Sequence, residues 1–217
     1  MISIKHKIAK WAVIRMAKLY FHYASMNAGK SARLLTDAYN YQERGMRILM
    51  YKPAIDTREG KQSISSRIGL EETCTMITPD MDLYYDVHNN HFYSDSENLV
   101  SCVFVDEAQF LSRKNVMDLC RVVDELDIPV MTYGLRTDFQ LNLFEGSYML
   151  LALADEIREL RGVCHCGKKA TTVARIDANG KFVANGDQIE IGAEDKYVSL
   201  CRKHYLQLKN NPDTVEA

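Results

Sequence analysis

The stretch YASMNAGKSARLL, residues 23–35, joins a run that reads as a buried strand to one that reads as a helix. It carries Gly29-Lys30-Ser31, the second half of the phosphate-binding pattern G-x-x-x-x-G-K-[ST], with Ala24 where the pattern has its first glycine. This junction constrains the fold more than any other feature of the chain. A phosphate loop needs backbone N–H groups turned around an anion, a helix N-terminus behind them and a strand that delivers the chain to that point. Gly29 permits close approach of the backbone, Lys30 reaches the outer phosphates, and the Ser31 hydroxyl can ligate Mg²⁺. Alanine at position 24 matters only if the backbone there needs a conformation barred to it. A GKS tripeptide alone occurs by chance, and the strand-loop-helix context gives it meaning.

The rest of the chain supplies the sheet that such a loop requires. After KLYFHYASM (18–26), a helix places Leu34, Leu35, Ala38 and Tyr41 on one face and stops at Gly45. MRILMY (46–51) is a second strand, and Lys52 to about Met76 reads as a long mobile loop broken by Pro53, Gly60 and Gly69. LVSCVFVDEAQF (99–110) contains a third strand whose apolar run is continuous, as in a parallel sheet covered on both faces. Val116, Leu119, Cys120, Val123 and Leu126 mark a helix before Pro129, PVMTYGL (129–135) is a fourth strand, SYMLLALADE is helical, and IRELRGV adds one more strand. Strands alternating with helices predict a three-layer α/β domain with a parallel sheet. Beyond Gly162 close-spaced cysteines, short β-like pieces and the turns Asn179-Gly180 and Asn185-Gly186 predict a second, smaller unit.

CVFVDE delivers Asp106 and Glu107 to the C-terminal end of a strand, where α/β sheets bind ligands. Asp106 is placed to hold Mg²⁺ opposite Ser31, and Glu107 to orient and deprotonate an attacking oxygen. The pair does not say whether that oxygen belongs to water, as in an ATPase, or to an acceptor hydroxyl, as in a kinase. Cys164-x-Cys166 and Cys201-x-x-His204, 34 residues apart, offer the four donors of a tetrahedral zinc site with no open position for catalysis. A redox dithiol or buried structural thiols are the alternatives to zinc.

A net charge of −2 gives no basic field for a nucleic-acid footprint, and no apolar run approaches the ~20 residues of a membrane span. Residues 1–15 hold Lys5, Lys7, Lys10 and Arg15 without an acid, and read as a disordered extension or as sequence before a start at Met16, a membrane-surface helix being the alternative. Six cysteines without a signal peptide fit a reducing, cytoplasmic compartment.

Taken in order, SMNAGKS, NYQERG, KPAIDTR, SSRIGLE, FVDEAQF, YGLRTDFQ, LFEGS, CHCGKKA and GAEDKYVSLCRKHY resemble the type II thymidine kinases over about residues 17–207, and the C-x-C with C-x-x-H pattern resembles the bacterial branch. The resemblance implies a P-loop, RecA-like domain over 16–162, a zinc-binding domain over 163–208 whose loop at about 173–197 folds over the base as a lasso, and a flexible tail over 209–217. It implies transfer of the γ-phosphoryl group of Mg-ATP to the 5′-hydroxyl of thymidine, inhibition by dTTP and a homotetramer. Ser25, Met26, Asn27, Ala28, Gly29, Lys30, Ser31, Asp56, Arg58, Asp106 and Gln109 would serve the phosphates and metal, with Glu107 as base. Met26, Phe110, Leu135, Phe139, Phe144, Ile189, Ile191, Gly192 and Tyr197 would surround the nucleoside, and Cys164, Cys166, Cys201 and His204 would hold structural Zn²⁺. Ala193 stands after Gly192 where many relatives have a second glycine. Two rivals remain: a P-loop ATPase whose zinc module binds nucleic acid, opposed by the acidic GDQIEIGAED, and a nucleotide-binding module without turnover.

Overall fold

The structure, a computed structural model, describes residues 17–54, 62–93, 99–188 and 196–211. The extension at 1–15, and Asp56, Arg58, Ile189, Ile191, Gly192 and Ala193, lie outside the described residues.

In chain order the first unit comprises β1 (Leu19–Ala24), α1 (Lys30–Gln42), β2 (Arg47–Pro53), β3 (Ser63–Ser65), β4 (Glu71–Thr73), β5 (Thr75–Ile77), α2 (Leu83–Phe92), β6 (Val100–Val105), a 3₁₀ turn (Ala108–Phe110), α3 (Arg113–Leu126), β7 (Val130–Leu135), α4 (Glu145–Leu153) and β8 (Glu156–Glu159). Six strands form one sheet in the order β5-β2-β6-β7-β1-β8, every neighbouring pair parallel. Alternate residues of β6 face opposite layers. Val103 and Val105 join Leu19, Phe21 and Val130 under α2, α3 and α4, while Cys102 and Phe104 join Met50 and Tyr133 under Leu34, Leu35 and Ala38 of α1. Both faces are covered, which is why the strand reads as one apolar run.

Several elements depart from the sequence reading, and IRELRGV, expected as one strand, divides into Glu156–Glu159 on the sheet and Gly162–Val163 outside it. The segment expected as a loop from Lys52 to Met76 contains the antiparallel β3–β4 hairpin and the edge strand β5, each of three residues and too short to leave a period. Fully buried Ile64 anchors the hairpin under α1. Helix α2 was not anticipated, because only Leu83 and Val87 face inward on it; the Asp82 carboxylate caps it by accepting from Tyr85 N–H.

The second unit adds β9 (Gly162–Val163), β10 (Lys169–Ala170), β11 (Thr172–Ile176), β12 (Lys196–Leu200) and α5 (Arg202–Asn210). β9 pairs with β10 and β11 with β12, both antiparallel. Ala174, Ile176, Leu200, Tyr205 and Leu208 give this unit a small core of its own. Hydrogen bonds that fasten it to the sheet domain include Tyr205 Oη–H to Phe139 O (2.7 Å), Arg136 Nη2–H to Thr171 O (3.0 Å) and Ser199 Oγ–H to Met26 O (2.5 Å). Among the described residues no helix is long and apolar enough to cross a membrane.

Helix α4 lies so close to the 3₁₀ turn that a Cβ on Gly146 would stand 2.3 Å from Ala108 O and 2.9 Å from both Gln109 O and Leu111 O. Glycine to alanine inside a helix ordinarily gains about 1 kcal/mol. Here Gly146→Ala should instead lose about 1–3 kcal/mol by forcing α4 off the turn, and the midpoint of denaturant unfolding measures the sign.

Candidate active site and metal centre

Ala24 ends β1 with negative φ, so the missing first glycine of the pattern imposes no conformational strain. Asn27 (φ 60°) and Gly29 (φ 76°) are left-handed and curl the loop between β1 and α1. Gly29 occupies the N-cap of α1 without a side-chain cap. The first turn of α1 therefore presents backbone N–H groups that an anion can satisfy, at the positive end of the helix dipole. Lys30 is buried, with its ammonium 3.5 Å from Ser25 O.

Strand β6 stops at Val105, two strands from β1. Asp106 is 3% exposed and accepts the Ser31 hydroxyl proton at Oδ2 (2.9 Å), while its Oδ1 is buried without a hydrogen-bond partner. Burial pushes the Asp106 carboxyl up to about 6, and the charge of Glu107 adds to the shift; hydrogen bonds from the Glu107 backbone and Ser31, and the charge of Lys30, oppose it. Glu107 adopts φ 47°, ψ 38°, a left-handed conformation that costs a non-glycine residue roughly 1 kcal/mol. That reversal breaks the alternation of the strand, and Asp106 and Glu107 line the same cavity. Gln109 lies buried behind them, donating from Nε2 to Glu107 Oε2 (2.5 Å) and accepting Leu135 N–H at Oε1 (3.0 Å).

The cavity, about 510 Å³, brings together Met26, Asn27, Gly29, Lys30, Ser31, Asp106, Glu107 and Leu135. Its far wall is made by Lys52 and by Ser65, Ser66, Arg67 and Ile68 of the β3–β4 hairpin, none of them assigned a role from the sequence. SSRIGL is conspicuous as a motif, but nothing in its composition says that a hairpin folds it toward the phosphate loop. Ser25 and Ala28 meet the second unit: Ser25 Oγ–H points to Ala170 O at 3.5 Å, and a Cβ on Gly162 would stand 2.8 Å from Ser25 Oγ and 3.3 Å from the Ala28 methyl.

The remaining apolar candidates divide. Phe110 and Phe144 meet edge to face at 5.6 Å. Phe139 is buried under the second unit, with the Arg175 guanidinium 5.2 Å from its ring centre. Tyr197 is half-buried on β12 opposite Arg175.

Cys164, Cys166, Cys201 and His204 bring one donor atom each within 4.8 Å of one another. Cys164 Sγ is 3.3 Å and Cys201 Sγ 3.6 Å from His204 Nδ1, and Cys166 Sγ is 4.0 Å from Cys201 Sγ. Metal–ligand bonds of ~2.0–2.3 Å give a tetrahedron edges of ~3.3–3.8 Å, so the set can hold a zinc ion. Burial opposes ionisation of Cys164, but N–H groups of Cys166 and Cys201 and the His204 ring outweigh it and hold the thiol at about 6, near the thiolate that a metal requires.

The family model for thymidine kinase matches residues 17–205. The chain is 54% identical over 195 residues to the thymidine kinase of Agrobacterium fabrum, covering 90% of this chain and 99% of that one. It is 55% identical over 190 residues to that of Rhizobium etli (88% and 94% covered) and 53% identical over 195 residues to that of Enterobacteria phage T4 (89% and 97% covered).

Asp106 generates a prediction of opposite sign for stability and for binding. Its carboxyl holds its proton more tightly in the folded chain, about 6 against 3.8, so its contribution falls as pH rises through that interval and stays low above it. Asp106→Asn should therefore stabilise the ligand-free protein by ~1–3 kcal/mol above pH 6, with little difference below pH 4. The same change should weaken Mg-nucleotide binding. Thermal unfolding at pH 7.5 and nucleotide titration on one preparation check both signs.

Proposed function

The chain belongs to the thymidine kinase family, and on that premise we propose that it transfers the γ-phosphoryl group of ATP to the 5′-hydroxyl of thymidine, giving dTMP and ADP. The observation that carries this reading is the convergence of Lys30, Ser31, Asp106 and Glu107 on one cavity at the carboxyl ends of the sheet.

Phosphoryl transfer passes through a loose transition state, and the protein contributes mainly position and charge. The N–H groups at Gly29 and the start of α1 receive the phosphates, Lys30 reaches the outer ones, and Lys52 and Arg67 add positive charge from the opposite wall. Asp56 and Arg58 are assigned to the same phosphates by their place in the DTR motif. Ser31 and Asp106 would hold Mg²⁺: the buried, unpartnered Asp106 Oδ1 beside the Ser31 hydroxyl suits a hard cation with oxygen ligands. When bound there, Mg²⁺ would neutralise charge on the transferred group. Glu107 accepts the proton of the 5′-hydroxyl as that oxygen attacks.

Met26, Leu135, Phe110, Phe139 and Phe144 form the nucleoside side, with Tyr197 and the lasso residues Ile189, Ile191 and Gly192 closing over the base. Zn²⁺ on Cys164, Cys166, Cys201 and His204 is structural, stapling the two ends of the lasso; residues 163–208 thus act as a zinc domain on a kinase domain over 16–162. dTTP carries both a thymidine and a triphosphate and fits both halves of the cleft as an inhibitor. A cytoplasmic homotetramer completes the reading.

Assays with Mg-ATP should show ADP formation that depends on thymidine, is weaker with deoxyuridine and is negligible with deoxyadenosine or deoxyguanosine. Comparable turnover of purine nucleosides, or hydrolysis stimulated by single-stranded DNA and not by thymidine, contradicts the assignment. Glu107→Gln should bind both substrates and lose roughly 10²–10⁴ in turnover. About one zinc per chain should be found by elemental analysis. Cys201→Ser should lower thymidine affinity more than ATP affinity, because it loosens the lasso and not the phosphate loop; equal losses would contradict the staple.

A further inference from the structure

The turn after β6 contains a polar side chain that contacts the proposed base and does not itself line the cavity. Gln109 is 1% exposed, and both polar atoms of its amide are engaged within the protein. Their orientation follows from the neighbours. Leu135 N–H can only donate, so the atom 3.0 Å from it is Oε1; Nε2 then faces the Glu107 carboxylate at 2.5 Å, which accepts.

The space for this amide is built into β7. A Cβ on Gly134 would stand 2.9 Å from Gln109 Oε1 and 3.0 Å from its backbone N. Leu135, the other partner, is held from behind, since Ser147 Oγ–H donates to Leu135 O at 2.5 Å and ties the end of β7 to α4. A continuous path therefore runs from α4 through the end of β7 and the Gln109 amide to one oxygen of Glu107. Glu107 needs such a mount. It sits on a left-handed residue past the end of its strand, on a side chain with three rotatable bonds, and general-base transfer requires its oxygen within ~2.6–3.2 Å of the hydroxyl.

We propose that Gln109 is a positioning residue that fixes the Glu107 carboxylate toward the acceptor hydroxyl, with Gly134 as the space that admits it. This rests on the reading of Glu107 as the group that takes the hydroxyl proton. Gln109 acts through Glu107 and touches neither phosphate nor nucleoside. Loss of the mount leaves both substrates bound and lowers the fraction of time that the base is aligned, a loss that for displacements near 1 Å reaches about 10² in rate.

The test is a double-mutant cycle on the zinc-loaded, full-length enzyme, with Gln109→Met, Glu107→Gln and the double variant, each measured for kcat, for KM of ATP and thymidine, and for thermal unfolding. Gln109→Met should lower kcat by about 10–100-fold with either KM changed by less than about threefold. In the Glu107→Gln background the same substitution should change kcat by less than about twofold, because no base is left to align. A role confined to packing would lower kcat by the same factor in both backgrounds, and that result, or full turnover in Gln109→Met, overturns the proposal. Glu107→Gln alone decides the separate question of the base: near-normal turnover there removes the reading on which the mount depends. Gly134→Ala, which displaces the amide from the other side, enters the same cycle with the same expected outcomes if Gln109→Met does not fold.

Discussion

A carboxylate buried beside a phosphate loop is the constraint on which the arrangement depends. Asp106 is almost inaccessible, one of its oxygens is bonded to the Ser31 hydroxyl and the other has no partner. Such a group is costly to keep charged, and a protein tolerates it where a ligand completes the electrostatics. The sheet order makes the contact possible. With β7 between β1 and β6, the first turn of α1 and the end of β6 open toward each other across one strand, and residues 75 apart in sequence share a hydrogen bond. Glu107 follows at once on a strained turn, so two carboxylates with different surroundings reach one cavity. On the proposed reading the buried one serves the metal and the more accessible one the proton.

The second unit leans on this centre. Ser199 on β12 bonds to the carbonyl of Met26 inside the phosphate loop, and Tyr205 on α5 bonds to the carbonyl of Phe139. Asp138 accepts the N–H groups of Gln140 and Asn142 at one oxygen and the Gln188 side chain at the other, which ties the sheet domain to the chain between β11 and β12, within the segment proposed as the lasso. Order in the Cys/His cluster is thereby connected to Met26 and Phe139, both proposed for the nucleoside side, and to the segment proposed as the lasso. That is the physical reason for expecting metal loss to be felt at the nucleoside.

The four inner strands of the sheet, β2, β6, β7 and β1, were legible because they carry apolar runs at the spacing that crossover helices demand, and the phosphate loop because Gly29, Lys30 and Ser31 lie together at a strand-to-helix junction. The four donors of the cluster were legible because cysteine and histidine at such close spacing have few other uses. The hairpin wall was not. Ser63–Ser65 and Glu71–Thr73 are too short for periodicity, and their placement depends on Ile64 filling a gap under α1. The family resemblance assigns Gln109 to the phosphates, and the contacts of its amide with Glu107 and Leu135 were not legible, since nothing local reveals that Gly134, 25 residues on, leaves room for it. Contacts between distant segments are set by packing, and a one-dimensional pattern does not carry them.

The central claim is that Asp106 and Glu107, adjacent in sequence, divide metal binding and proton transfer between them. A crystal structure of the full-length protein with Mg²⁺, a non-hydrolysable ATP analogue and thymidine tests it most directly, through the distance from the Glu107 carboxylate to the thymidine 5′-oxygen. The account predicts ~2.6–3.2 Å for that distance, with the metal on the Ser31 and Asp106 side. A Glu107 carboxylate bound to the metal, or a 5′-oxygen contacted by Asp106 and remote from Glu107, would contradict it.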